Sequence, residues 1–302
     1  MGKQNKQSTT EPTRMAICYD FDRTLTPDDM QAQGYIQQIG EKVPDFWARA
    51  TELAEREHMD PNLAYLHLML QGAADKFYVK RQSLREFGSR VQLYEGVEEF
   101  FPRINAYGQE HHMQVEHYII SSGIREMIEG TVIADYFEKI YANSFLYNEG
   151  GSAIWPAQIV NFTNKTQFLF RIEKGATDEN DPRVNDYFKV EDMPIPFKYF
   201  IYIGDSQTDI PCMKLVNTYG GHSIGVYDPQ KGDKSRVCQL LLDHRIRYYA
   251  PACYSEGSVL DATIKEIINA LEAQSALDRR YKHCLVESRL LQESTGAALP
   301  ST

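Results

Sequence analysis

Hydrophobic positions in this chain cluster into short runs that stop at acidic or small polar residues. Residues 15–19 stop at Asp20, 117–120 stop at Ser121, 199–203 stop at Gly204-Asp205, and 223–226 stop before Asp228-Pro229. Segments at helical period lie between these runs, and that alternation predicts an α/β fold. Near-continuous apolar strands belong to parallel sheets covered on both faces, where ligands bind beyond the carboxyl ends of the strands. A Rossmann-like parallel sheet with helices on both faces is therefore expected, its strand tips converging on one crevice.

The stretch between the first and second runs is far longer than the dozen or so residues that a crossover needs. Residues 28–93 read as helical. Pro44 suits a first turn and is followed by apolar Phe46, Trp47 and Leu53, while Pro61 opens a run with Leu63, Leu66, Leu70 and Phe77 near helical spacing. The expected layout is a flexible tail over 1–13, a catalytic core over 14–27 and 94–272, an inserted α-helical cap domain over 28–93, and a helical or flexible C-terminal extension over 273–302. Residues 175–196, rich in Asp, Pro and Asn, read as a surface excursion. Ser258 is placed to cap a helix whose stripe of Leu260, Ile264, Ile267, Ile268 and Leu271 is core.

The sharpest chemical feature is Asp20-Phe21-Asp22-Arg23-Thr24-Leu25-Thr26, directly after a buried run. A carboxylate at a strand tip is rigid and partly desolvated, which suits a nucleophile or a metal ligand, and a second one two residues later can handle protons. Phosphoryl transfer makes use of such a pair: one carboxylate attacks phosphorus, while the other protonates the leaving alkoxide and then activates water. Two carboxylates alone would repel a phosphate, so cations and anion-binding backbone are required. Asp205, in Gly204-Asp205-Ser206-Gln207-Thr208-Asp209, could join Asp20 on Mg²⁺, a hard ion that prefers oxygen. Ser121-Ser122-Gly123 offers a hydroxyl and turn N–H groups for phosphate oxygens, and Lys165 an ammonium. Taken singly, Ser121 reads as a helix cap, Lys165 as a surface lysine and Asp205 with Asp209 as a capping pair. The joint pattern of strand tips favours the site.

Charge sharpens the partner class. With 32 Lys+Arg against 42 Asp+Glu the net charge is −10, which argues against a nucleic-acid surface, because such affinity comes largely from counterion release by Lys and Arg. A hydrophobic fraction of 42%, with 19 Tyr and 14 Phe, is ample for a core. No apolar run is long enough for a membrane span, the first fourteen residues hold no hydrophobic signal core, and five cysteines without a C-x-x-C pair fit a reducing cytoplasm. Lys76, Lys80, Arg81, Arg85 and Arg90 read as a solvated helix face, His111, His112 and His117 as structural or exposed, and Cys18 as an inert core thiol.

Asp20 to Thr26, Ile119-Ile120-Ser121, Lys165 and Gly204 to Asp209 together resemble the four ordered motifs of the haloacid dehalogenase superfamily, most similar to its phosphoserine-phosphatase-like hydrolases. The resemblance implies that Asp20 is the nucleophile and Asp22 the general acid/base. It further implies Ser121 and Lys165 (with Ser122 and Gly123) on phosphate, Mg²⁺ on Asp20, Asp205 and the Asp22 carbonyl, and support from Thr24 and Asp209. Arg23 stands where many relatives have Gly, and Lys174 is the alternative to Lys165. The implied function is Mg²⁺-dependent hydrolysis of a small phosphorylated metabolite through an aspartyl-phosphate, with no nucleic-acid or membrane partner. Phosphotransfer, or a non-catalytic phosphate-binding role, is the alternative. Carbon–halogen hydrolysis is disfavoured because it needs no acid at Asp22.

Overall fold

A computed structural model describes residues 11–189, 192–205 and 207–295. Residues 1–10 of the expected tail, Ser206 of the last motif and the end of the extension beyond Thr295 lie outside the described residues. Thr13, assigned to the tail from sequence, already belongs to the first strand.

Seven strands form one sheet: β1 (Thr13–Tyr19), β2 (Met113–Ile124), β3 (Phe137–Tyr147), β4 (Ala153–Gln158), β5 (Phe200–Gly204), β6 (His222–Tyr227) and β7 (Tyr248–Pro251). The order is β4-β3-β2-β1-β5-β6-β7, parallel throughout except for the β3–β4 pair. The four predicted runs are β1, β2, β5 and β6. The central position of β1 explains its uninterrupted apolar character, since Met15 to Tyr19 are fully buried. From β1 the chain moves outward through β2 and β3, then returns to the other side at β5. That reversal creates a crevice at the tips of β1 and β5, the place where such sheets bind ligands.

Ten helices accompany the sheet among the described residues. Four lie in the long connection, α1 (Tyr35–Gln38), α2 (Val43–Glu57), α3 (Pro61–Ala73) and α4 (Arg81–Gly88), and α5 (Val97–Glu110) leads into β2. The rest are α6 (Arg125–Ile128), α7 (Lys165–Glu173), α8 (Ile210–Thr218), α9 (Ser235–Leu242) and α10 (Val259–Thr295). Adjacent residues of β1 serve opposite layers: the Tyr19 ring packs edge-on against Phe100 and Phe101 of α5, whereas Cys18 lies near Cys212 of α8. Ser258 caps α10 as expected, accepting from the Asp261 amide at 3.2 Å, and the predicted stripe of α10 is buried. The helix continues unbroken to Thr295, so the expected border at 272 falls inside one element.

Local chemistry explains the inserted helices. Pro44 lies in the first turn of α2, and Asp60 caps α3 by accepting from the amides of Asn62 (2.7 Å) and Leu63 (3.3 Å). One expectation changes here. Instead of a single stripe through Leu63, Leu66, Leu70 and Phe77, α3 buries Ala64, Tyr65, Leu66, Leu68, Met69 and Ala73, and Phe77 follows the helix. Because α3 packs on α2 on one side and on β4 on the other, more than one face must be apolar.

The basic stretch docks this segment onto the core. Arg85 pairs with Glu129 at 2.7 Å and the Arg81 guanidinium sits 4.4 Å from the Tyr147 ring centre, whereas Lys76 donates to the Ile39 carbonyl within the insertion itself. Gly88 is needed at the α4–α6 contact, since a Cβ there would lie 1.8 Å from the Met127 carbonyl oxygen. Gly88→Ala should destabilise the protein by about 3 kcal/mol, the upper end of overpacking costs because the obstruction is backbone, as read from the urea midpoint.

His117 is structural. It is buried, its Nδ1 accepts from the Tyr19 hydroxyl at 2.9 Å, and its Nε2 donates to Asn105 Oδ1 at 2.8 Å, which suits a neutral ring. Burial lowers its pKa from the ordinary 6.5 to about 3. Between these values the unfolded chain binds a proton that the folded chain refuses, so His117 costs nothing above the unfolded pKa and stability declines as pH falls through this window. The slope from this residue should be about 1.4 kcal/mol per pH unit. Urea unfolding of His117→Gln between pH 4 and 6.5 should show a correspondingly shallower dependence than the parent.

Candidate active site

The Asp20 amide donates to the Ile203 carbonyl at 2.9 Å, extending the β1–β5 ladder one residue beyond the strand and holding Asp20 at its tip. The chain then turns. The Arg23 amide donates to Thr26 Oγ1, and Arg23 itself adopts φ +60°, the left-handed conformation that glycine takes most easily. Its guanidinium pairs with Asp29 at 2.9 Å and lies 3.7 Å from Asp28. Thr24 is buried; its carbonyl accepts from the Tyr254 hydroxyl at 2.9 Å, so it ties the turn to the core.

Lys165, the first residue of α7, is completely buried. Its ammonium lies 2.8 Å from Asp209 Oδ1 and 3.1 Å from Asp20 Oδ1, and Asp209 also accepts from the Tyr202 hydroxyl at 2.8 Å. Burial by itself would lower the lysine pKa, but Asp20 and Asp209 outweigh it and hold the group above its ordinary value, fully charged. Lys174, the alternative, instead donates to the carbonyls of Val184 and Asp186 at 2.7 and 2.8 Å and so braces the surface excursion.

The acids are crowded. Oxygens of Asp20, Asp205 and Asp209 lie within 4.8 Å of one another. Burial, then Asp209, raises the Asp20 pKa to about 6 against the lowering effect of Lys165. Burial, then Asp209 and Asp20, raises Asp205 to about 8. Asp22 is held well above the carboxylate range by burial, then Asp29 and Asp20, while its Oδ1 accepts from the Met30 amide at 2.8 Å. Asp20 Oδ1 is buried and has no hydrogen-bonding partner, the ammonium meeting it only as an ion pair. An excess of oxygen ligands with an unsatisfied buried carboxylate oxygen fits a divalent cation such as Mg²⁺. The side chains that converge are Asp20, Asp205 and Asp209, whereas the Asp22 carboxylate turns toward the insertion.

Ser121 is buried at the end of β2 and its Oγ accepts from the Gly123 amide at 3.0 Å. Gly123 allows close approach, since a Cβ would sit 2.2 Å from Met30 Cε and 3.0 Å from Asp22 Oδ2. The Ser122 hydroxyl donates to the Val160 carbonyl at 2.8 Å, which commits its proton elsewhere. Asp20, Asp22, Ser121, Ser122, Gly123 and Asp205 all line one cavity of about 410 Å³, with Lys165 and Asp209 buried behind it. Its opposite wall comes from the insertion, through Gln31, Trp47, Thr51, Asn62 and Tyr65. Phe162, Thr208 and Arg236 complete it. Sequence gives no signal that Gln31, Trp47, Thr51, Asn62 and Tyr65 belong to the site, because only the folding of the insertion over the strand tips brings them there.

The family model for haloacid dehalogenase-like hydrolases matches residues 17–214, more than half of the chain. The chain belongs to this family. An uncharacterized protein of Borreliella burgdorferi is 25% identical over 279 residues, covering 84% of this chain and 96% of its own. A probable phosphoserine phosphatase from Vibrio cholerae in its unliganded form shares the fold with a TM-score of 0.55 at 12% identity, covering 88% of this chain and 68% of that one. A substrate-bound phosphoserine phosphatase gives 0.51 at 14% identity, covering 79% and 93%. In this haloacid dehalogenase-like hydrolase no described helix is long and apolar enough to cross a membrane.

The buried ammonium makes a stability prediction. Removing one partner of a buried ion pair strands the others, at a cost of about 3–5 kcal/mol. Lys165→Met should lower unfolding free energy by that amount in urea titration, and adding Asp209→Asn to it should restore part of the loss. Equal stability of Lys165→Met and the parent would show that the pairs contribute nothing.

Proposed function

We propose that this hydrolase is a Mg²⁺-dependent phosphomonoesterase of small phosphorylated metabolites that works through an aspartyl-phosphate on Asp20. The observation that supports it best is the paired environment of Asp20 and Asp22. One is a strand-tip carboxylate against a charged ammonium, the other a carboxyl whose hold on its proton is strengthened by burial and neighbouring acids, and both residues line the same cavity.

In this reading an Asp20 carboxylate oxygen attacks phosphorus, and the bond from phosphorus to the alcohol oxygen breaks as Asp22 gives that oxygen its proton. Water then attacks the acyl phosphate while Asp22 takes its proton back, releasing inorganic phosphate and the Asp20 carboxylate. Lys165 keeps Asp20 oriented and offers positive charge to the phosphoryl oxygens, and Ser121 with the amides of its turn orients them. Asp209 holds Lys165 in place. Asp20 and Asp205, with Asp209 close by, would hold Mg²⁺, which would supply charge neutralisation for the phosphoryl group. The excess of carboxylates over cations supports this need. Residues 28–93 act as a cap, covering the cavity and touching the leaving group. Five cysteines without a C-x-x-C pair fit a cytoplasmic setting.

Two measurements test the reading. Asp20→Asn should abolish Mg²⁺-dependent phosphate release, and Asp22→Asn should lower kcat by about 10²–10⁴, with circular dichroism unchanged in both. Mg²⁺ should raise the Tm of the parent and raise that of Asp205→Asn much less. Full activity in a folded Asp20→Asn protein would refute the covalent mechanism.

A further inference from the structure

The insertion's wall of the cavity carries information about the leaving group. Its one charged residue, Asp29, is neutralised at 2.9 Å by Arg23 of the turn after β1. The rest of that wall is Gln31, Trp47, Ala50, Thr51, Pro61, Asn62 and Tyr65, all uncharged. Most of its polar groups are already committed within the protein. Thr51 donates to the Trp47 carbonyl at 3.0 Å, Asn62 Nδ2 to the Val160 carbonyl at 2.9 Å, and the Tyr65 hydroxyl to the Ser122 carbonyl at 2.8 Å.

Two atoms are not. Trp47 Nε1, a donor, and Gln31 Oε1, an acceptor, are buried without a hydrogen-bond partner, and Gln31 is only 2% exposed. Buried polar atoms without partners are costly and uncommon in native proteins, so an unpaired donor and an unpaired acceptor in two residues that line one wall of a cavity call for a ligand that supplies both. Hydroxyl groups do so, since each can accept and donate. The aromatic rings of Trp47 and Tyr65, centred 5.6 Å apart and inclined at 71°, add apolar surface suited to the C–H faces of a polyol. An amino-acid leaving group would bring an ammonium and a carboxylate against a wall with no unspent counter-charge, and an unpaired charge is expensive to desolvate. Arg236 is exposed on α9 on the core side, beside Asp205, and does not alter that wall.

Resting on the phosphomonoesterase reading above, we infer that the substrates are monophosphate esters of uncharged polyhydroxy alcohols, that is, sugar or polyol phosphates. One substrate hydroxyl accepts from Trp47 Nε1 and another donates to Gln31 Oε1. Trp47 and Gln31 are thereby specificity residues that touch the leaving group and not the reacting phosphorus.

The full chain with Mg²⁺ is assayed on p-nitrophenyl phosphate, glucose-6-phosphate, glycerol phosphate, phosphoserine and adenosine monophosphate. The better of the two polyol esters should exceed phosphoserine and the nucleotide in kcat/KM by about 10² or more. Trp47→Phe keeps the ring and removes the donor, so KM for the favoured polyol ester should rise about tenfold, the value of one hydrogen bond to a buried group, and by more than KM for p-nitrophenyl phosphate. Binding is read separately in Asp20→Asn with Trp155→Phe, which leaves Trp47 as the one tryptophan of the chain's two. The favoured polyol ester should change its fluorescence saturably, and phosphoserine should not at equal concentration. Preference for phosphoserine or the nucleotide, or a Trp47→Phe effect equal on every ester, overturns the assignment while turnover of p-nitrophenyl phosphate leaves the phosphatase reading standing. If no ester at all is hydrolysed and none perturbs Trp47, both readings fall.

Discussion

A single buried ammonium organises the catalytic end of this protein. Lys165 cannot be buried as a lone cation, so α7 is placed where Asp20 and Asp209 meet its side chain. Asp209 is fixed in turn by the Tyr202 hydroxyl, and it sits so close to β5 that a Cβ at Gly204 would lie 2.6 Å from its carboxylate. The tips of β1 and β5 and the start of α7 are thus locked by charge as well as by the sheet. The same arrangement leaves the site short of positive charge, three carboxylates sharing one ammonium, and Asp209 and Asp20 thereby add to burial, the larger cause, in raising Asp205 to about 8. A net charge of −10 for the chain says little about such a pocket, where one cation among three acids decides what can enter.

The second constraint joins the insertion to that site. Asn143, fully buried on β3, donates to the Tyr65 hydroxyl and to the Ser122 carbonyl, both at 2.7 Å, and accepts from the Val160 amide at 2.6 Å. Tyr65 belongs to α3, Ser122 to the end of β2, and Val160 to the connection before α7. One side chain therefore holds the wall, the serine turn and the approach to Lys165 in mutual register. Together with the Gly123 contact to Met30 and the α4–α6 contact at Gly88, it fastens the insertion at several points. By contrast α2, which carries Trp47, packs mainly on α3 and α1. Adjustment to a leaving group is most easily absorbed there.

How far this was legible in the sequence depended on whether a residue's surroundings are local. Strand tips were readable because β1, β2, β5 and β6 are apolar runs cut off by polar residues, and the parallel order makes those cut-offs converge. β3 escaped notice because polar residues interrupt it, as Glu138 and Lys139 do, β7 because it is only four residues long, and β4 because an exposed edge strand need not be apolar, with Trp155 at 68% exposure. The choice between Lys165 and Lys174 could not be made from spacing, since both border α7, and burial separates them. Asn143 and Gln31 gave no signal at all, and Trp47 only that of an apolar helix position. Their roles come from contacts across 78 and 21 residues of sequence in the case of Asn143, and from the closure of the insertion over the sheet in the other two.

Asp20 and Asp22 illustrate how two identical side chains, two residues apart, are driven toward opposite chemistry. Both are desolvated, which favours the protonated form. For Asp20 the adjacent ammonium counteracts this and leaves its pKa near 6, so that the carboxylate predominates at neutral pH. Asp22 has Asp29 and Asp20 as its nearest charges, and the cation beside it, Arg23, is already engaged by Asp29. Its proton is therefore retained well beyond the usual range. Separation of proton affinities between neighbouring carboxyls is what acid–base chemistry at neutral pH requires, and here it follows from where two cations are spent. Arg23 matters in this balance through its partner: a guanidinium released from Asp29 and turned toward Asp22 would favour the charged carboxylate and so, in the proposed mechanism, weaken its capacity to protonate a leaving alkoxide.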